Sequence, residues 1–155
     1  MFVGKFLISI FVENITVMTP FFTQDIDLSK YSVLAVDDIP LNIFLIKKML
    51  SKFNFEFRTA NNGQEALDAV AEKKPDLILL DLMMPGIDGF EVITRLRANP
   101  ETADIHIVII SALNSTDDIA RGFKLGANDF ITKPIIMEKL LNCVVTQFKL
   151  IENQE

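Results

Sequence analysis

Between residues 30 and 150, short apolar runs alternate with stretches whose apolar positions recur every three or four residues. Residues 31–36 (YSVLAV), 76–80 (DLILL) and 105–110 (IHIVII) are nearly continuous apolar runs, each too short for a helix and each closed by a polar residue. That is the pattern of a strand covered on both faces. Residues 55–60 alternate as a strand, and residues 129–132 read as a fifth, followed by Lys133-Pro134. Helical spacing fills the gaps between them. Pro40 opens a first helix in which Leu41, Leu45, Met49 and Phe53 recur every four residues, with Lys47, Lys48 and Lys52 on the other side. Asn61-Asn62-Gly63 is a turn before a second helix over 65–74, stopped by Pro75. A third helix carries Phe90, Ile93 and Leu96 and fades at Asn99-Pro100, a fourth spans 116–125 with Gly126 after its end, and a fifth covers 137–150. Five strands alternating with five helices imply βαβ crossovers and a parallel sheet covered on both sides, a doubly wound α/β domain over residues 30–150.

Composition narrows the classes of function. The chain has 155 residues, 50% apolar and 23% charged, which is one domain of ordinary size and excludes overall disorder. Its net charge of −6 is a poor match for a phosphate backbone, so nucleic acid is not expected as a direct partner. A single cysteine, Cys143, permits no internal disulfide and suits a reducing compartment, so a cytoplasmic location is expected, with no membrane partner. Cys143 reads as a small core residue, and the lone His106 as a strand-edge residue rather than a ligand.

Residues 1–22 fit this picture poorly, being mostly apolar with only Lys5 and Glu13 charged. Three readings suit them: a weak signal or anchor, an added strand or helix, and an over-extended start with translation beginning at Met18. The last is preferred, because Glu13 ends the apolar run well short of a membrane span and no small-residue cleavage site follows it. Residues 1–29 are accordingly set apart as an N-terminal extension, and 151–155 as a C-terminal tail.

In an open parallel sheet, ligands bind beyond the carboxyl ends of the strands. The first strand ends in Asp37-Asp38, the third in Asp81, the fourth in Ser111 and the fifth in Lys133. Any one of these is ordinary turn chemistry. Three carboxylates crowded at one edge repel each other, however, and a hard cation such as Mg²⁺ relieves that repulsion. The set then reads as a phosphoryl site, with Asp81 as nucleophile, Asp37 and Asp38 holding the metal, and Lys133 and Ser111 addressing the phosphoryl oxygens.

The strings VLAVDD (33–38), LILLDLMMPGIDG (77–89), VIISA (108–112) and DFITKP (129–134), with 44 residues from Asp37 to Asp81, 30 on to Ser111 and 22 on to Lys133, resemble the receiver domain of two-component response regulators. The resemblance implies a flavodoxin-like sheet of strand order 2-1-3-4-5. It implies that Asp81 is the phosphoacceptor, served by a histidine kinase or a phosphotransfer protein. It places Mg²⁺ on Asp37, Asp38, Asp81 and the backbone carbonyl of Met83. Ser111 and Lys133 become the hydroxyl and lysine that contact the phosphoryl group, and Phe130 the switch aromatic that turns inward as Ser111 moves. Met83 and Leu113 flank the path of the hydrolytic water, and being apolar they are expected to lengthen the life of the phosphorylated state. Such a domain promotes only its own phosphorylation and dephosphorylation.

Only residues 151–155 follow the last helix, so no output domain is expected here. The signal is expected to leave through the 115–150 face, toward an unknown downstream protein, a phosphorelay step or a second copy of the chain. Two rivals are weaker. A Mg²⁺-dependent aspartyl-phosphate phosphatase wants an acid two residues after the nucleophile, where Met83 stands. A degenerate receiver or flavin-type binding module would lack one of Asp38, Asp81 and Lys133, or would carry a neutral phosphate loop in place of DDIPLN.

Overall fold

The computed structural model describes residues 27–155. Residues 1–26, on which the three readings of the N-terminal stretch fall, lie outside the described residues. After a single helical turn at Leu28–Lys30, the chain runs β1 (Ser32–Val36), α1 (Pro40–Met49), β2 (Glu56–Ala60), α2 (Gly63–Glu72), β3 (Leu77–Leu80), α3 (Gly89–Ala98), β4 (His106–Ser111), α4 (Thr116–Leu125), β5 (Asp129–Thr132) and α5 (Met137–Asn153). All pairings are parallel, in the order β2-β1-β3-β4-β5. The doubly wound sheet and its strand order are those expected.

Two-residue periodicity sorts the strand side chains into two cores. Val33, Ala35, Leu77, Leu79, Val108 and Ile110 face one side, where Ile46 and Leu50 at the end of α1 meet Leu140, Val144 and Phe148 of α5. Leu34, Val36, Ile78, Leu80, Ile107 and Ile109 face the other, against Ala66 and Val70 of α2 and Phe90, Ile93 and Leu96 of α3. Helix starts follow local chemistry, with Asn62, Asp88 and Ser115 each accepting a hydrogen bond from the backbone N–H three residues on. Gly126 ends α4 at φ 112°, a left-handed conformation that glycine adopts without penalty.

Two expectations need correction. The four-residue repeat of α1 does not mark its buried face. Leu41 is 62% exposed and Leu45 40%, while Ile46 and Leu50 are buried, with Ile43, Met49 and Phe53 half-buried beside them. At 3.6 residues per turn a strict repeat of four drifts by about 40° per step, and this helix is apolar nearly all round, so packing rather than periodicity selects the face. The last helix also runs three residues past 150, to Asn153. No glycine or proline stops it there, and Ile151 continues its apolar face onto the core. His106 and Cys143 are both buried. His106 Nδ1 lies 2.7 Å from Gln147 Oε1, and the Cys143 thiol donates to Asp129 at 3.3 Å. Burial pushes that thiol's pKa up, so it stays protonated.

α3 begins hard against the end of β3. A Cβ on Gly89 would overlap the Asp81 carbonyl oxygen and lie 2.7 Å from Leu82 Cα, both of them backbone atoms. Gly89→Ala is therefore expected to destabilise the fold by about 1–3 kcal/mol in urea unfolding. A loss within experimental error would show that this junction has slack.

Candidate functional site

The strand order reverses at β1 and β3, with β2 wound to one side and β4 and β5 to the other. Side chains that leave the carboxyl ends of those two strands line the crevice. Val36 pairs with Leu80, and the Asp81 N–H donates to the Val36 carbonyl at 2.9 Å. Asp37 and Asp81 consequently leave the sheet side by side, both buried, with Asp38 half-buried beside them. One carboxylate oxygen from each of the three lies within 4.8 Å of the others.

Lys133 reaches in from the end of β5, whose register is held by the Lys133 N–H donating to the Ser111 carbonyl at 2.8 Å. The Lys133–Pro134 peptide bond is cis. Lys133 Nζ lies 2.7 Å from Asp37 Oδ2 and 3.4 Å from Asp81 Oδ2, so one ammonium serves two carboxylates. Asp37 is further held by the Ile39 N–H at 2.9 Å and by the Asn42 amide at 3.1 and 3.3 Å. Asp81 accepts the Met83 N–H at 3.3 Å. Burial pushes the Asp81 carboxyl above its usual range, Lys133 pulls it down, and the Asp37 carboxylate pushes it up again.

The structure thus brings Asp37, Asp38, Asp81 and Lys133 into one crevice. Ser111 ends β4 with its side chain buried and its Oγ accepting the Leu113 N–H at 3.2 Å. Phe130 is half-buried on β5, its ring beside Gly122 of α4, where the missing side chain leaves room for Ile109. Met83 exposes its side chain at the mouth, and Leu113 is half-buried on the second core. Sequence reasoning missed Asn42. Its one signal is that it is the only polar residue in the run 40–46, at the start of a helix that follows two aspartates.

Three oxygen ligands so close together, with one ammonium between two of them, leave excess negative charge. Hard oxygen donors of this kind suit Mg²⁺ better than a softer metal. Among the described residues this is the one acidic group able to hold a metal ion. Among them, too, no helix is long and apolar enough to cross a membrane.

Residues 33–145 match the model of the response regulator receiver domain. Among curated proteins, the chain is 44% identical over 121 residues to the response regulator PleD of Caulobacter vibrioides, covering 77% of this chain but only 27% of PleD. Against protein PilH of Pseudomonas aeruginosa it is 33% identical, covering 72% of this chain and 93% of PilH. Among solved structures, the receiver domain of Francisella response regulator 1452 superposes with a TM-score of 0.73 at 30% identity, over 79% of this chain and 99% of that one. The chain spans about a quarter of the length of PleD and nearly all of PilH. It belongs to the response regulator receiver family of two-component signalling.

Proposed function

We propose that this receiver takes a phosphoryl group onto Asp81 from a phosphohistidine on a sensor kinase or phosphotransfer protein, with Mg²⁺ bound at Asp37, Asp38, Asp81 and the Met83 carbonyl, and passes the signal on through its 115–150 face. The working unit is the domain over residues 30–150, with Leu28 before it and Ile151 after it packed on its core, and it is proposed to act in the cytoplasm. The observation that carries this reading is the ammonium shared between Asp37 and Asp81, because it stands where a transferred phosphoryl group would need a counter-charge.

In the transfer, an Asp81 oxygen bonds to phosphorus as the phosphorus–nitrogen bond breaks, and the imidazole leaves with the bonding pair and picks up a proton. Mg²⁺ would supply charge neutralisation to the phosphoryl oxygens. Lys133, already 3.4 Å from Asp81, moves its second contact from Asp37 to a phosphoryl oxygen. Ser111 accepts the Leu113 N–H at its Oγ, a role that leaves the hydroxyl proton for the same group. As Ser111 shifts, Phe130 turns inward toward it. Phe130 also borders a cleft of about 460 Å³ lined by Ile119, Phe123, Lys139 and Asn142, which supports a switch read at this surface by a downstream protein or second copy. A phosphatase would need an acid at position 83, where an exposed methionine stands.

The crevice is bordered by exposed apolar side chains. Ile39, Leu41, Phe44 and Leu45 lie along α1, and Ile136 and Met137 at the start of α5. Such a patch suits helix-on-helix docking of a histidine-bearing helical partner.

Four outcomes are expected. With a small phosphodonor and Mg²⁺, intact-mass measurement should find a single phosphoryl adduct that Asp81→Asn abolishes; multiple turnover or no adduct would defeat the reading. Folding raises the Asp81 pKa, chiefly through burial, so its stability contribution is lost as pH rises through that raised value; at neutral pH the same Asp81→Asn variant should show a higher Tm without metal, and a lower one would contradict it. Met83→Asn with Leu113→Glu should shorten the phosphorylated half-life by roughly tenfold, by admitting and orienting water; an unchanged half-life would contradict the shielding role. Charged residues at Leu41 and Phe44 should slow transfer from a phosphohistidine protein by roughly tenfold or more while sparing the small donor; equal slowing of both would remove the docking role.

A further inference from the structure

We propose that the Asn42 side-chain amide competes with the divalent cation for Asp37 and thereby weakens Mg²⁺ binding in this receiver; the inference rests on the metal-dependent acceptor described above. Asn42 sits in the first turn of α1, five residues after Asp37. Its Nδ2 lies 3.3 Å from Asp37 Oδ1 and 3.1 Å from Oδ2. Because an ionised carboxylate only accepts, the nitrogen and not the oxygen of the amide must face it. Oδ1 also accepts the Ile39 N–H at 2.9 Å, and Oδ2 the Lys133 ammonium at 2.7 Å. A carboxylate offers about four lone-pair positions, and all of those on Asp37 are addressed by a donor. Asp81 is less engaged, with longer contacts of 3.3 Å to Met83 and 3.4 Å to Lys133.

A cation that draws on Asp37 must therefore displace one of its donors. The Ile39 N–H is held by the backbone turn into α1, and the ammonium is charged and makes the shortest contact. The amide is neutral, carried on a side chain, and makes the two longest contacts, so it is the donor that yields. Without Asn42, Asp37 is still oriented by Ile39 and Lys133. What changes is the negative potential that it presents to the crevice. Asn42 is thus a positioning residue that acts through Asp37, and it stabilises the metal-free crevice at the expense of the occupied one.

The test is calorimetric titration of MgCl₂ into the full chain, as wild type, Asn42→Leu and Asn42→Ala, with thermal melting of each with and without Mg²⁺. Both variants should bind Mg²⁺ more tightly by roughly three- to tenfold and show a larger Mg²⁺-induced rise in Tm, while their metal-free Tm stays level or falls. If Asn42→Leu does not fold, Asn42→Ala carries the comparison. Dissociation constants equal to or weaker than wild type would reduce Asn42 to a part of the turn and overturn the proposal while leaving the metal site intact. A wild-type chain that takes no Mg²⁺ would overturn the proposal together with the reading beneath it.

Discussion

Everything at the functional edge depends on two adjacent strands ending on the same level. Val36 and Leu80 are paired across β1 and β3, so the carboxylates that follow them emerge together. Asp38 adds a third, and all three have an oxygen within 4.8 Å of the others. A fold does not gain by gathering like charges where water is scarce. The apolar strands compel it, because Leu34, Val36, Ile78 and Leu80 hold the register that puts those carboxylates side by side. Gly89 then lets α3 close over the same strand end with no side chain between. The sheet's packing energy maintains a crevice that is electrostatically unfavourable and that a cation would relieve.

Lys133 is the element that makes such a crevice responsive. Divided between Asp37 at 2.7 Å and Asp81 at 3.4 Å, it favours Asp37, which is not the proposed acceptor. On the proposed reading, a phosphoryl group on Asp81 would add negative charge on the far side of that balance and draw the ammonium over. β5 carries Phe130 and leads directly into Lys133, so the ring and the ammonium are joined by one short strand. The cleft beside Phe130 opens between α4 and α5.

The ten elements and the polar residues at the strand ends were readable in the chain because each rests on a short-range rule, whereas the strand order followed only from the resemblance to receiver domains. Strands buried on both faces read as unbroken apolar runs, and a polar residue that ends such a run has to lie at the sheet's edge. The face of α1 was not readable in this way. Leu41, Phe44 and Leu45 are as apolar as Ile46 and Leu50, and only contact with α5 and the sheet decides which of them are covered. Asn42 was equally hidden. One amide in an apolar turn has no periodic signature, and its bond to Asp37 exists only once β1 and α1 have met. The preference of Lys133 for Asp37 lies beyond sequence reasoning for the same reason, since it is a difference of less than an ångström between two carboxylates that carry the same charge.

One ammonium serves two carboxylates, and on the proposed reading it changes allegiance when Asp81 is loaded. A crystal structure of the chain with Mg²⁺ and beryllium fluoride, a stable mimic of the phosphoryl group, is the decisive test. The fluoride adduct is expected on Asp81, with Lys133 Nζ on a fluorine and withdrawn from Asp37, and the Ser111 hydroxyl turned toward the adduct. An adduct on another carboxylate, or a Lys133 still bound to Asp37 as it is here, would contradict it.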